Sequence, residues 1–161
     1  MAEREKILEV RDLSISFTTT GGELNAIRGV DLDVYRGETV AIVGESGSGK
    51  SVTAYSLMGL TAYPGRLIGG TLDFNGHHIN DMSEKEMRRI RGNEVSIIFQ
   101  DPMTSLNPVF TVGNQLREAI ELHTDRKGKE AEARAVEMLT LVGVNEPEKR
   151  VKQYPYELSG G

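Results

Sequence analysis

The chain has 161 residues, enough for one domain with a real core. Its apolar fraction is 38%, and no apolar run approaches membrane-spanning length, which excludes a membrane-embedded body. A formal net charge of −5, spread along the chain, argues against a non-specific nucleic-acid binder, and zero cysteines exclude disulfides and thiolate metal sites.

The first residues, Met1 to Lys6, are charged and no apolar stretch follows them, so no secretory signal is expected. Leu8 and Val10 lead into Leu13, Ile15 and Phe17, which alternate with Ser14 and Ser16 as in a half-buried strand. Gly21-Gly22 marks a hairpin-like turn. Val30, Leu32 and Val34 then alternate with Asp31 and Asp33, a second strand. Arg36-Gly37 turns the chain into Glu38–Val43, an apolar run that predicts a buried strand.

That run opens onto Gly44-Glu45-Ser46-Gly47-Ser48-Gly49-Lys50-Ser51, which fits G-x-x-x-x-G-K-[ST] without mismatch. The spacing has a mechanical reason. Glycines let the backbone curl until successive N–H groups point at one anion. Lys50 then places an ammonium on the β- and γ-phosphates of a nucleotide. Ser51 offers its hydroxyl to Mg²⁺, and the helix expected over Val52–Leu60 aims its positive end at the phosphates.

After a loop at Tyr63-Pro64-Gly65, residues 69–76 predict a short strand ending in a turn. His77 and His78 are adjacent on a strand, point apart, and make a poor metal pair. Ser83 and Glu86 predict a capping box at the start of a helix. Arg88, Arg89 and Arg91 read as a solvated helix face, and Val95–Phe99 as a buried strand. Two prolines make Asp101–Pro108 a loop. Helical spacing then recurs at Leu116, Ala119, Ile120 and His123, and again at Ala135, Met138, Leu139 and Val142, with Gly143 in place to end the second helix. Glu146–Gln153 is polar, and Tyr154-Pro155-Tyr156 leads to Leu158-Ser159-Gly160-Gly161. The expected architecture is α/β: a P-loop core with an antiparallel β part over residues 1–100 and an inserted helical part over 101–161.

The P-loop, the aromatic at Phe17, Gln100 after its apolar run, and Leu158-Ser159-Gly160-Gly161 occur here in the order of the ATP-binding subunits of ABC transporters, which the whole chain resembles. Met58-Gly59-Leu60, Phe74-Asn75-Gly76 and above all Phe99 to Pro108 resemble the oligopeptide/dipeptide importer branch, which also includes nickel and glutathione importers. The resemblance implies ATP and Mg²⁺ as ligands. It implies that Phe17 stacks on adenine, that Gly44 and Ser46, Gly47, Ser48, Gly49, Lys50 and Ser51 hold phosphates, and that Ser51 and Gln100 serve Mg²⁺, Gln100 also sensing the γ-phosphate. Ser159, Gly160 and Gly161 would bind ATP held by a second ATPase subunit. The implied partners are that subunit, as homo- or heterodimer, integral membrane permeases and, indirectly, an extracytoplasmic substrate-binding protein, with no nucleic acid. The implied location is the cytoplasmic face of the cell membrane.

Family members place their Walker B Asp, catalytic Glu and switch His after the signature motif, within which this sequence stops. The expectation is a truncated member whose full-length parent is a transport ATPase, with little turnover from these residues alone and a sheet that bares apolar faces and open edges. A nucleotide-binding module that docks without turnover is the alternative. A soluble family member acting in DNA repair or translation is a third reading, opposed by the negative charge and by the loop after Gln100.

Overall fold

The computed structural model describes residues 4–101 and 105–158. The chain forms two compact units, Met1–Ser96 and Ile97–Gly161.

The first unit is built on a four-stranded antiparallel sheet in the order β2-β1-β3-β4. Strands β1 (Lys6–Thr19) and β2 (Gly22–Tyr35) form the hairpin expected from Gly21-Gly22, with Thr19 opposite Gly22. The turn is tight because Gly22 adopts φ 116°, which side chains resist. Strand β3 (Gly65–Phe74) pairs with the other edge of β1, and β4 (His77–His78) closes the sheet after the Asn75-Gly76 turn. All three long strands depart from regular geometry near one level, at Asp12 (φ 50°), Gly29 (φ 68°) and Gly70 (φ 90°). Side chains satisfy the amides this frees: Asp12 N–H donates to Asp31 at 2.8 Å and Gly29 N–H donates to Ser14 Oγ at 3.1 Å.

Helix α1 (Lys50–Leu57) follows the P-loop, and α2 (Glu84–Ile90) begins with the capping box read from the sequence. Ser83 Oγ accepts from Glu86 N–H, while Ser83 N–H donates to the Glu86 carboxylate at 2.8 Å. The core gathers Val10, Leu13 and Ile15 of β1, Ile27, Leu72, Ile79, and Met87 and Ile90 of α2. Ser16, expected on a polar face, is fully buried. β1 is an interior strand of the sheet, and a serine is small enough to be enclosed there.

Two expectations fail in an informative way. Residues 38–43 and 96–99 join no ladder among the described residues; Val95 makes only an isolated bridge to Arg91. Val43 is 87% and Ile98 94% exposed. An apolar run becomes a strand only when a neighbour offers its N–H and C=O groups, and no described strand does so here.

The second unit is helical. Helices α3 (Val112–His123) and α4 (Lys129–Leu141) form where the spacing predicted helix, and a short α5 (Pro147–Arg150) forms in the polar stretch after them. Thr111 caps α3 by accepting from Asn114 N–H at 3.2 Å. The next amides, of Val112 and Gly113, donate to the carbonyls of Gln153 and Val151. A Cβ at Gly113 would lie 2.6 Å from Val151 O, so glycine permits that approach. Gly143, at φ 77°, ends α4 as read. Ala131 and Ala135 carry the buried face, whereas Val142 caps the helix and is exposed.

Candidate functional site

The P-loop is assembled by contacts that only its residue types allow. Gly47 and Gly49 adopt φ 80° and 93°. A Cβ at Gly49 would stand 2.5 Å from Ile27 Cδ1 and 3.2 Å from Ala26 O, so the loop is pressed directly onto β2. A Cβ at Gly44 would stand 2.7 Å from Ser48 Oγ. Gly47 is the contrast: a Cβ there would meet nothing within 4 Å, so the backbone faces open space.

Lys50 folds back over the loop. Its Nζ donates to Gly44 O at 2.9 Å, Glu45 O at 2.6 Å and Ser48 Oγ at 3.3 Å. The ammonium is therefore held at the loop while its charge has no carboxylate partner among the described residues. Helix α1 starts on Gly49 with no side-chain cap and no acidic residue in its first turn. Among the described residues no acceptor in the chain takes the first-turn amides of Lys50, Ser51 and Val52. The result is a set of first-turn amides with no acceptor among the described residues, beside an ammonium held only by loop oxygens and the hydroxyls of Ser46, Ser48 and Ser51. Such a set suits a polyanion, and so the site fits the phosphates of a nucleotide.

Phe17 is half-buried and packs against the core, with Leu24 and Gly65 opposite it in the flanking strands. A Cβ at Gly65 would lie 2.6 Å from its Cε1, so one ring edge is committed to β3. Gln100 lies in an exposed bend of the second unit. Ser159, Gly160 and Gly161 lie outside the described residues. His77 and His78 face different carboxylates, Glu94 and Asp73, and the described residues contain no group of three His, Cys, Asp or Glu able to hold a metal.

Arg91 is a correction to the sequence reading. It is not solvated but reaches the far end of α1, where Nε donates to Met58 O at 2.8 Å and Nη2 donates to Gly59 O at 2.9 Å. Its position at the C-cap of α2, beyond Arg88 and Arg89, is the one hint the sequence carried. In the second unit Gln115 has a comparable part. It accepts from Asn107 N–H at 2.9 Å and donates to the carbonyls of Asn107 and Phe110, tying the loop after Gln100 to α3.

The sequence profile described as ABC transporter matches residues 27–161. The oligopeptide transport ATP-binding protein OppD of Bacillus subtilis (strain 168) is 54% identical over 97% of this chain and 44% of its own length. The dipeptide transport ATP-binding protein DppD of the same organism is 52% identical over 98% of this chain and 47% of its own. OppD of Escherichia coli (strain K12) is 47% identical, again over 47% of its length. The chain thus spans about half the length of the curated relatives it matches. Among solved structures, the ATP-binding cassette MJ0796, as a dimer in a post-hydrolysis state bound to ADP and Pi, superposes with a TM-score of 0.83. That match covers 96% of this chain and 64% of the cassette at 24% identity, and it shows the shared fold.

Proposed function

Because the chain belongs to the ABC transporter family, we propose that it binds ATP with Mg²⁺ at residues 44–51 and serves as the ATP-binding part of an importer of dipeptides or oligopeptides. The observation that carries this is the open space at Gly47 beside first-turn amides of α1 that have no acceptor among the described residues, with the Lys50 ammonium held over the loop by its oxygens alone. The relatives named for dipeptide and oligopeptide transport support the substrate class.

The proposed roles follow the chemistry of each side chain. The Lys50 ammonium moves from its loop carbonyls onto phosphate oxygens, gaining charge-assisted hydrogen bonds. The Ser51 hydroxyl, together with phosphate oxygens, would hold Mg²⁺, an ion that favours oxygen ligands and few protein groups. Bound there, the ion would neutralise charge on the terminal phosphates. Phe17 is only partly buried, and adenine would stack on the part of its ring that stays exposed. Gln100, with the Gln115-anchored loop behind it, would report the γ-phosphate to a membrane permease. Ser159, Gly160 and Gly161 would complete the site of a second ATPase subunit, in line with the dimeric cassette of the same fold. No helix of the described residues is long and apolar enough to cross a membrane, so membrane association would come through permease subunits.

Calorimetric titration with Mg-ATP tests the reading, with Lys50→Ala as control. Saturable binding that weakens by about a hundredfold in the variant, the loss of more than one charge-assisted contact, is expected. Equal affinity of the two proteins would overturn it.

A further inference from the structure

Of the three clustered arginines at the end of α2, Arg91 alone turns inward. Its side chain is 17% exposed, against 77% for Arg88. All three guanidinium nitrogens are used. Nε and Nη2 hold the carbonyls of Met58 and Gly59, and Nη1 meets both Glu84 oxygens at 3.0 and 3.1 Å. Those two carbonyls lie just past the end of α1, where a helix leaves acceptors without internal partners. Met87 fills the remaining space, its Cε standing 3.2 Å from where a Gly59 Cβ would be.

Inside α1 the buried polar groups bond within the loop and helix. Its two buried residues are Thr53 and Ser56, and their hydroxyls are spent on Gly49 O and Thr53 O, within the loop and helix themselves. Val52 and Leu57 are only partly buried against the core. Two contacts hold α1 along its axis: Gly49 against Ile27 at one end, Arg91 at the other.

We propose that Arg91 is a positioning residue for nucleotide binding, anchoring the carboxyl end of α1 so that the Lys50 and Ser51 amides stand at the depth the phosphates require. A helix of this length is a stiff rod of about 12 Å, so a displacement at one end is delivered to the other. A planar fork holds two carbonyls and a carboxylate in one fixed geometry, whereas a lysine is a point charge with rotatable donors. Glu84 holds the third nitrogen of the fork while the other two hold the carbonyls. The inference rests on the nucleotide-binding reading above for its consequence, and on the hydrogen bonds alone for the anchoring.

The test uses Arg91→Lys, Arg91→Gln and the milder Glu84→Gln, the last because Glu84 is largely exposed and its loss leaves the core intact. Two readouts are taken well below the thermal midpoint. The first is the amide NMR spectrum without nucleotide, where the Gly47, Gly49, Lys50 and Ser51 signals should move while those of Val10 and Ile15 in β1 stay. The second is affinity for Mg-ATP, which should fall about tenfold in Arg91→Lys and about threefold in Glu84→Gln, as for one hydrogen bond lost or loosened. Signals that move only within α2, with Mg-ATP affinity unchanged and only the melting temperature lowered, would reduce Arg91 to a fold staple and overturn the proposal. If the unsubstituted protein fails to bind Mg-ATP, the nucleotide reading falls, and the amide signals still decide whether Arg91 sets the loop.

Discussion

Gly47 and Gly49 occupy the same short loop and both need a positive φ, yet they do different jobs. At Gly47 an added methyl meets nothing; at Gly49 it meets Ile27, a core side chain 4% exposed, and the backbone oxygen of Ala26. Gly47→Ala should therefore cost only the backbone term, about 1 kcal/mol. Gly49→Ala should add an overpacking cost of about 1–3 kcal/mol, since Ile27 is enclosed and cannot swing away. Urea midpoints of the two variants check this: equal losses would mean that the loop is not seated on β2. The pair also separates stability from binding. Gly47→Ala puts its methyl into the open space where the phosphates are proposed to lie, so it should lose Mg-ATP affinity while remaining nearly as stable.

At the level of elements, the strands that formed and the two apolar runs that did not were alike read from apolar residues alone. β1 and β2 find each other across a two-residue turn, and β3 returns to β1 after the Tyr63-Pro64 loop. Residues 38–43 and 96–99 are as apolar but have no described neighbour to complete a ladder. Periodicity reports which face a segment could bury, not whether a partner is present, so these two segments were not legible from their own residues. Caps were legible, because they are local. The Ser83/Glu86 box formed as read, and it starts the helix that carries Met87 and Ile90 to the core and Arg91 to α1. Ser83→Ala should lower stability by about 1 kcal/mol, and Ser83→Asp should restore most of it, as measured by chemical denaturation. An unchanged midpoint for the alanine variant would mean that tertiary packing alone holds α2. The turn of the P-loop was legible for a similar reason: the glycines and the lysine that shape it lie within eight consecutive residues. Arg91 was not, since its partners lie 32 and 33 residues away.

At the scale of the whole chain, ion pairs on the sheet surface set how stability responds to acid. Arg11 grips Asp33 with two bonds of 2.7 and 2.9 Å, and Lys6 bridges Asp33 and Glu9 at 3.2 and 3.1 Å. The Arg11 guanidinium, with Lys6 behind it, holds the Asp33 carboxyl below its ordinary value. Arg36 does the same to Glu5, Arg88 and Arg91 to Glu84, the Ser83 hydroxyl and amide to Glu86, and Arg134 to Glu137. A carboxyl whose pKa is depressed on folding stabilises the fold fully above its unfolded value, and that contribution drains away as pH falls through the folded one. The unfolded values lie near about 4, so the urea midpoint should be level above about pH 5 and fall steadily below about pH 4. Lys6 and Arg11, raised by the same partners, act oppositely, their contributions lost only as pH rises through their folded values. Because all these groups face solvent, salt should flatten the acid limb, and about 0.5 M NaCl against about 0.05 M distinguishes this from protonation of buried groups. Asp33→Asn should flatten the limb at low salt and leave the high-salt curve nearly unchanged. An acid limb insensitive both to salt and to Asp33→Asn would show that the surface network does not govern the response, and that the fold is instead lost in acid through groups screened from solvent.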